Sequence, residues 1–574
     1  MRGFYKAIAL IVITLFISGG ERKEKKYRVV VEGEALKARY AESTKTVTVL
    51  TSEDLKGLPF DSLSQLLSSL SFLTVLRRGP ESFDVGIRGS SPKRVLILIN
   101  GLRLNDPQTE HFNMEIPLSL RDIERIEIIK GGTSTFYGSG AFAGAINIVV
   151  KGKRRGHINL TGGEKGFFSA DFMGGMGAFS LSFSSRRSDG YYPGREFDIK
   201  TINMGFSEGG ISVFGGLSWK KLGEKGFYAP FPSYEEVGSF LLTGKYNHGG
   251  LEFSFLSRGL NDHFILDRTR PEWYENFHNN YLNTVRTSYS FPFKGFSVLM
   301  GGEASLESIR SQRLGDHDRG GGAVFLLARK ATLKTLFESG LRMEVFSGYS
   351  PFAGIYAGME REIGNGIFFT LSAGNSLRRP TFTELYYRSP ANLGNPKLVP
   401  EKSLNLETGL RAGVKGLSMG VSVYIRREKG VIDWVRNSSD EPWRAENLPD
   451  MTFGGAEFNL KWRGKGIFLG IGGMFNLVFH SIDRETKYAL AFEREKISGM
   501  VGVNSGVFSL SSVLSYKRMY SGEGGVFLDS RFSVRFRKLT FYIQGNNLFN
   551  TIIEEIPGIR IPGRWISGGV SLEL

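Results

Sequence analysis

The chain has 574 residues, of which 41% are hydrophobic and 23% charged, and its formal net charge is +16. Its 74 glycines are nearly twice the usual share of ~7%, but they follow no three-residue period, which excludes collagen. Only one short apolar run is present, which excludes a bundle of membrane-spanning helices. The lack of cysteine excludes disulfides, Fe–S clusters and cysteine nucleophiles, and it suits an oxidising compartment.

The start of the chain has the order of a secretory signal. Arg2 and Lys6 are basic, the residues from Ala7 to Ser18 are mostly apolar, and small residues continue to Gly20. This order predicts a signal peptide over residues 1–20 that is removed from the mature protein. A retained membrane anchor is the alternative.

A change of composition near residue 153 divides the remaining chain into two regions. Residues 36–153 combine compact β runs with one helical stretch over residues 53–69. In that stretch Asp61 is the predicted cap of a short helix whose leucines share one face. The β runs lie at residues 95–101, 123–132 and 145–151. These features predict a small α+β domain.

Residues 154–574 alternate apolar and polar side chains in about 22 segments. Phe179, Leu181 and Phe183, for example, point to one side of a predicted strand, and the serines between them point to the other. In a membrane barrel the apolar face meets lipid and the polar face lines the lumen. A soluble sandwich with so many strands would need linkers that the sequence lacks. We therefore predict an all-β transmembrane barrel of about 22 antiparallel strands, with the α+β domain as a plug in its lumen.

Aromatic residues near the predicted strand ends fit the interfacial girdles of such a barrel. Trp219, Tyr356 and Trp434 are examples.

Several motifs carry a family resemblance. Residues 88–106 contain an Arg-Gly pair, an apolar strand and an Asn-Gly turn, and residues 123–151 match a second plug signature. Residues 378–403 include the run NPKLVPE, and residues 547–550 read NLFN before the last predicted strand. These motifs resemble the TonB-dependent outer-membrane receptors, and most closely their cobalamin and siderophore receptor type.

The resemblance implies import rather than catalysis. The expected function is TonB-dependent uptake of a scarce, bulky ligand across the outer membrane of a Gram-negative bacterium, the ligand being a ferric siderophore, cobalamin or another metal chelate. The expected partners are TonB of the TonB–ExbB–ExbD complex, the small-molecule ligand and outer-membrane lipid with lipopolysaccharide. We expect a monomer without a cofactor and without nucleic acid. An outer-membrane adhesin or structural barrel and a passive porin are the alternatives.

A short valine run is the predicted TonB-binding element. Val29, Val30 and Val31 lie in the polar segment 21–35, and a β-branched run of this kind can add a strand to the exposed sheet edge of a partner. Its position matches the TonB box of the family. The alternative is that these valines form the first strand of the plug.

Polar plug connections and aromatic barrel loops are the predicted ligand site. The plug residues lie in connections 78–83 and 105–111: Arg78, Glu81, Ser82, Asn105, Asp106, Gln108, Glu110 and His111. The barrel residues offer stacking faces and hydroxyls: Tyr228, Tyr234, Trp273 and Tyr274. The alternative for these aromatics is the interfacial girdle.

Two plug arginines are predicted to hold the plug in place. Arg88 and Arg125 would lie in a lumen of low effective dielectric, so we expect them to pair with carboxylates of barrel strands.

Matches to enzyme motifs lack the structural context that the chemistry needs. Residues 138–143 fit G-x-G-x-x-A but lead into a predicted strand, and residues 205–209 and 416–420 fit G-x-S-x-G without a following helix. The seven histidines include no i,i+4 pair, so no metal site and no catalytic residue are predicted.

Overall fold

The computed structural model describes residues 30–31, 38–39 and 43–574, apart from residues 56, 80, 153, 228 and 229. The predicted signal peptide and Val29 therefore lie outside the described residues. No helix in the described part of the chain is long and apolar enough to cross a membrane.

The N-terminal region forms a mixed sheet with short helices around it. Its strands are β1 (Val30–Val31), β2 (Ala38–Arg39), β3 (Val47–Thr51), β4 (Leu73–Arg77), β5 (Phe83–Ile87), β6 (Val95–Ile99), β7 (Leu102–Arg103), β8 (Ile123–Lys130) and β9 (Gly144–Val150). The helices are α1 (Ser52–Leu55), α2 (Leu63–Ser69) and α3 (Ser134–Tyr137), with 3₁₀ turns at Pro92–Arg94, Glu110–Phe112 and Leu120–Asp122. The main sheet has the order β3-β8-β9-β6-β7, in which only β6 and β9 run parallel.

The apolar β runs form the centre of this domain. All five residues of β6 are buried, as are all seven of β9. The predicted helical stretch is interrupted, and α2 begins one residue later than expected because Ser62, not Asp61, is its N-cap. The Ser62 hydroxyl accepts the backbone N–H of Gln65 at 3.3 Å, which satisfies one of the free donors at the helix start. Leu66 and Leu67 face the core as predicted.

The rest of the chain is almost entirely β-strand. In chain order the strands are β10 (His157–Gly163), β11 (Phe168–Met176), β12 (Phe179–Ser188), β13 (Phe197–Glu208), β14 (Ile211–Gly223), β15 (Tyr234–His248), β16 (Leu251–Ile265), β17 (Glu275–Phe293), β18 (Phe296–Ser311), β19 (His317–Ala331), β20 (Thr335–Phe346), β21 (Phe352–Gly364), β22 (Ile367–Arg378), β23 (Arg388–Ser389), β24 (Asn392–Leu393), β25 (Glu401–Val414), β26 (Leu417–Lys429), β27 (Ile432–Arg436), β28 (Trp443–Asn447), β29 (Met451–Arg463), β30 (Ile467–Phe479), β31 (Glu485–Thr486), β32 (Glu493–Asn504), β33 (Phe508–Met519), β34 (Gly524–Phe536), β35 (Leu539–Asn546), β36 (Glu554–Ile556), β37 (Ile559–Arg560) and β38 (Trp565–Glu573). Helix α4 (Phe382–Tyr386) and a 3₁₀ turn at Pro271–Trp273 lie in loops.

Twenty-two of these strands close into an antiparallel barrel. The last strand, β38, pairs with the first, β10, from His157↔Glu573 to Gly163↔Ser567. Closure pairs the first and last strands, so backbone donors and acceptors along the wall can bond between neighbouring strands. The predicted fold class, a barrel of about 22 strands with an N-terminal α+β plug, is confirmed.

The two faces of the wall follow the alternation of the sequence. Phe179, Leu181 and Phe183 of β12 are 40–67% exposed on the outer face, whereas the serines between them are at most 7% exposed on the inner face. Among the expected girdle residues, Trp219 is on the exposed outer face, but Tyr356 and Trp434 are buried. Tyr356 points into the lumen, where its hydroxyl bonds to Thr44 of the plug, and Trp434 packs inside a loop cluster.

The two ends of the barrel differ. At the end near both termini of the barrel, adjacent strands are joined by short turns. Lys294-Gly295 and Lys415-Gly416 have positive φ at both residues, the conformation that matches the twist of a two-residue hairpin. At the opposite end the connections are longer, and outer-membrane barrels direct such loops to the cell exterior.

Part of these long loops forms a second small sheet. The strands β23, β24, β28, β27 and β31 pair in that order as a five-stranded sheet beyond the barrel wall. This loop sheet lies at the end where the plug connections 78–83 and 105–111 are found.

Candidate functional site

The structure brings the two predicted plug connections into contact. The guanidinium of Arg78, from the first connection, donates to the backbone carbonyl of His111 in the second. Asp84 links the same two residues, with its carboxylate 3.6 Å from Arg78 Nε and 2.8 Å from His111 Nδ1. We call Arg78, Asp84 and His111 the apex cluster. It connects segments more than twenty residues apart in the sequence at the loop end of the barrel.

The second connection is also fastened to the barrel wall. Asp106 lies 3.3 Å from the guanidinium of Arg258 on β16, and Gln108 accepts a hydrogen bond of 2.6 Å from Asn280 on β17. Asn105 has a different role, because its side-chain amide bonds to the backbone of β6 at Val95 and Ile97. Asn105 therefore holds the plug sheet together rather than facing outward.

The remaining predicted plug residues form contacts of the same kind. Ser82 donates to Glu224 at the loop end of β14 at 2.8 Å, and Glu81 pairs with Arg186 of β12 at 3.0 Å. Glu110 lies 3.3 Å from Lys93 of the plug. Arg78, Ser82, Asn105, Asp106, Gln108, Glu110 and His111 are each at most 8% exposed, so these residues lie at the outer end but are covered.

Aromatic side chains from two loops cover the apex cluster. The rings of Phe227 and Tyr488 approach the His111 ring edge-on, with centroid distances of 5.4 and 5.7 Å. The loop that carries Tyr488 is held by Asp433 of β27, whose carboxylate accepts the backbone N–H groups of Tyr488 and Ala489. Burial raises the pKa of Asp433. Tyr488 was not predicted, because it lies in a loop that carries no sequence motif.

A second loop docks on the plug through its backbone. The first N–H groups of α4, at Phe382 and Thr383, donate to the plug carbonyls of Pro107 and Gln108 at 3.0 and 3.1 Å. Thr381 and Glu384 form a capping box at the start of α4. Because free N–H groups at a helix start need acceptors, the second plug connection completes this helix.

The predicted barrel-loop aromatic residues differ in their contacts and exposure. Tyr228 lies outside the described residues. Tyr234 donates to Glu236 at 2.9 Å, and the hydroxyls of Tyr274 and Tyr387 bond at 2.8 Å. Trp273 is 49% exposed and stacks against the guanidinium of Arg270, 3.2 Å from its ring centroid. Of the three described, Trp273 has the most open aromatic face.

Buried ion pairs connect the plug to the wall. Arg88 lies 2.8 Å from Glu407 of β25 and 3.0 Å from Glu457 of β29. Arg125 pairs with Glu124 and Glu127 of its own strand, β8. Further plug–barrel pairs that were not predicted include Lys45–Glu338, Lys93–Glu384, Arg94–Glu401 and Lys130–Glu457. For Glu338, Glu401 and Glu457, the signal that could have found them is a carboxylate at an inward-facing position of an alternating strand.

A polar cavity of about 990 Å³ lies between the plug and the wall. Its lining includes β10 and β38, so it borders the place where the barrel closes. It is bounded by turn residues Gly466 and Gly506 at one end and includes Glu81 near the apex cluster. Its charged lining residues include Asp61, Arg121, Asp171, Arg186 and Arg531. The lumen is therefore filled at the outer end and partly open along one side.

The fold defines a class of protein: an outer-membrane β-barrel whose lumen holds a plug domain. Residues 39–145 match the model of the TonB-dependent receptor plug domain, and residues 156–566 match the model of the TonB-dependent receptor-like β-barrel. The chain belongs to the TonB-dependent receptor family, and the protein is located in the outer membrane of a Gram-negative bacterium. The predicted family and localisation are confirmed.

Curated relatives and solved structures agree with this assignment. The chain is 24% identical over 452 residues to the vitamin B12 transporter BtuB of Photobacterium profundum, covering 72% of each protein. It is 35% identical over 113 residues to the iron-regulated outer membrane virulence protein of Vibrio cholerae, which is 18% of this chain and 17% of that protein.

Among solved structures, the copper transporter OprC has a TM-score of 0.77 at 16% identity, covering 93% of this chain and 98% of that one. The siderophore receptor PirA from Pseudomonas aeruginosa has a TM-score of 0.71 at 16% identity, covering 92% and 99%. At such identities the likeness shows the fold alone. The family comprises receptors and transporters rather than enzymes, and its members interact with TonB and bind small molecules, so outer-membrane ligand import is the general function.

Proposed function

We propose that the protein actively imports a scarce, bulky ligand, with energy supplied by TonB of the TonB–ExbB–ExbD complex. The observation that carries this proposal is the plug, which is fastened to the wall by buried ion pairs such as Arg88 with Glu407. A plug held in this way blocks diffusion, so passage of a bulky ligand requires the plug to rearrange. This argues against a passive porin.

The energy-coupling element of the proposal is the segment 21–35. In the proposed domain order it follows a signal peptide of residues 1–20 and precedes a plug of residues 36–153 and a barrel of residues 154–574. Within it, Val30 and Val31 form β1, which pairs with Ala38–Arg39. A two-stranded pair keeps a free outer edge. TonB would pair with that edge through Val29, Val30 and Val31, as an added strand.

The proposed ligand class is a metal chelate, such as a ferric siderophore or cobalamin. Names of relatives support this class, since they include a vitamin B12 transporter and siderophore receptors. The ligand would contact the apex cluster and its neighbours once Phe227 and Tyr488 move aside, with Trp273 as a stacking face on the rim. We expect a monomer surrounded by lipopolysaccharide in the outer leaflet.

The test is uptake in a Gram-negative host without cobalamin and siderophore receptors of its own. Cells that express the protein receive radiolabelled cyanocobalamin or a panel of radiolabelled ferric siderophores, with TonB present or deleted. We expect accumulation of at least one compound only when TonB is present. Equal accumulation without TonB would favour a porin, and surface binding of cells to a matrix without any uptake would favour an adhesin.

A further inference from the structure

Two inward-facing carboxylates on adjacent barrel strands form no ion pair among the described residues. Glu235 is the second residue of β15 and Asp262 lies near the loop end of β16, and they are 2% and 5% exposed. The register pairs Asp262 with Val237, two residues from Glu235, so the two carboxylates are diagonal neighbours on the inner face. Residues in this relation have Cα atoms roughly 7–8 Å apart and Cβ atoms somewhat closer.

The surrounding charges are already paired. The charged groups that act on Glu235 or Asp262 include the cation Arg78 and the carboxylates Asp106, Glu115 and Glu224. Their ion-pair partners are Asp84 for Arg78, Arg258 for Asp106, Lys220 for Glu115 and Arg195 for Glu224. In the described part of the chain, Glu235 and Asp262 form no ion pair. Buried charge without compensation is strongly unfavourable.

The neighbouring strand adds polar atoms without partners. On β17, Asn276 lies opposite Phe264 and His278 lies opposite Asp262, both on the inner face. Asn276 and His278 are 3% and 6% exposed, yet Asn276 Oδ1 and His278 Nδ1 have no hydrogen-bond partner, and neither does Asp262 Oδ1. Buried polar atoms normally have partners, and these three atoms are free to bond to a group that is not part of the chain.

We propose that Glu235, Asp262 and Asn276 bind a cationic group of the transported ligand, an ammonium or guanidinium that carries N–H donors. This inference rests on the proposed import function and specifies the ligand chemistry at one wall of the site. Two carboxylates and an amide oxygen supply acceptors for N–H groups and compensate the positive charge. A bare metal ion fits less well, because the described residues contain no group of three His, Asp or Glu placed to hold one.

We expect the pair to hold at least one proton when no cation is bound, since two adjacent buried carboxyl groups disfavour each other's ionised form. Binding of a group with one positive charge then displaces one proton to the solvent, so the net charge of the site is unchanged. The row lies close to the loop ends of β15, β16 and β17, beside Phe112 of the plug, which packs on Val237 and Leu260. A ligand at the apex cluster would therefore reach it.

The test uses hexaamminecobalt(III), a bulky inert cation with N–H donors, and hexacyanocobaltate(III), an anionic complex of similar shape. Isothermal titration calorimetry of the full-length protein in detergent should detect binding of the cation and not of the anion. The double substitution Glu235→Gln with Asp262→Asn should weaken cation binding by about tenfold or more, since it removes both charge-assisted hydrogen bonds. Titration in buffers of different ionisation enthalpy should show proton release by the wild type and none by the double variant.

Glu303→Gln is the matched control, because Glu303 is a wall carboxylate that already pairs with Arg342 at 2.7 Å. It should bind the cation as the wild type does. Thermal unfolding reports whether the double variant is folded. If it is not folded, cation binding is measured on the single variants Glu235→Gln and Asp262→Asn instead. Equal binding by the variants, preference for the anion, or no binding by the wild type would each overturn the inference.

Val30→Pro separates this inference from the proposed function. The Val30→Pro protein should bind hexaamminecobalt(III) normally, because cation binding does not involve TonB. In the wild type, normal cation binding without any TonB-driven uptake would count against the import proposal alone. Uptake that is unaffected by the double amide substitution would count against the cation site alone.

Discussion

The guanidinium of Arg88 in the plug lies 2.8 Å from the carboxylate of Glu407 on barrel strand β25, and the two side chains are only 1% and 7% exposed. Arg88 also lies 3.0 Å from Glu457, so it contacts two buried carboxylates of the wall, and Lys130 shares Glu457 with it. The plug and the barrel are therefore coupled energetically at this point.

Replacing Arg88 with alanine should loosen the plug. The substitution leaves the negative charges of Glu407 and Glu457 buried with less positive charge beside them. Breaking a buried ion pair in this way costs about 3–5 kcal/mol. Hydrogen–deuterium exchange of the β6 and β9 amides should become faster by the factor that corresponds to this loss of free energy. The control is Arg427→Ala, which breaks an exposed pair with Asp450 and should cost at most about 1 kcal/mol. Unchanged exchange in the Arg88→Ala protein would contradict the coupling.

Val30→Pro should abolish TonB-driven uptake while leaving ligand binding at the cell surface intact. Proline removes a backbone donor and fixes φ, so it prevents strand pairing at this position. Radiolabel accumulation and surface binding are measured on the same cells.

Ala38→Pro is the matched control for this substitution, because Ala38 pairs with Val31 within the chain. If loss of the β1–β2 pair were the cause, both variants would lose uptake. Loss in the Val30→Pro protein alone assigns the effect to a partner strand, and normal uptake by that protein would place the TonB contact elsewhere.

A disulfide between plug and wall should stop transport reversibly. A Cβ built on Gly472 of β30 lies 3.6 Å from Cβ of Ser71 in the plug, within the usual range of ~3.5–4.5 Å for a disulfide. The chain has no cysteine, so Ser71→Cys with Gly472→Cys creates a single possible bond. Oxidised cells should lose uptake, and a reducing agent should restore it. Each single-cysteine variant should transport in both conditions, and full uptake by the oxidised double variant would show that this part of the plug does not move.

Acid should release α4 from the plug. Burial alone raises the pKa of Glu384, but Arg378 and Lys93 outweigh it and hold the pKa well below its ordinary value of 4.5. A carboxyl group whose pKa is lowered by docking stabilises the docked state. This stabilisation is complete above the ordinary pKa and is lost as the pH falls through the lowered pKa. Exchange at Phe382 and Thr383, corrected for the intrinsic rate, should therefore accelerate between about pH 5 and about pH 2.

Glu384→Gln should weaken this pH dependence, since glutamine keeps the capping acceptor for Thr381 but has no charge to lose. At neutral pH the same variant should already exchange faster than the wild type, because Arg378 and Lys93 lose part of their compensation. Identical acid profiles for the two proteins would show that another group controls the release.

The alternating pattern of the sequence is enough to predict the architecture. A period of two residues, repeated along the barrel region, requires one face in lipid and one in the lumen, and a closed barrel is the arrangement that pairs every edge. The plug motifs identified the family because they combine residue identity with spacing over short distances. Local patterns also misplace details, such as the cap of α2, which is Ser62 because its hydroxyl reaches the N–H of Gln65.

Only the tertiary structure decided how distant residues meet. Arg88 and Glu407 are 319 positions apart, and their contact depends on the register of the wall and on how the plug sits in it. The sequence predicts Tyr356 as a girdle residue, but its side chain lies on the inner face of β21, where its hydroxyl bonds to Thr44 of the plug. Glu235 and Asp262 likewise become a pair only through strand register. Alternation determines which face a side chain lies on, whereas its partner depends on barrel closure, which brings together strands from the whole chain.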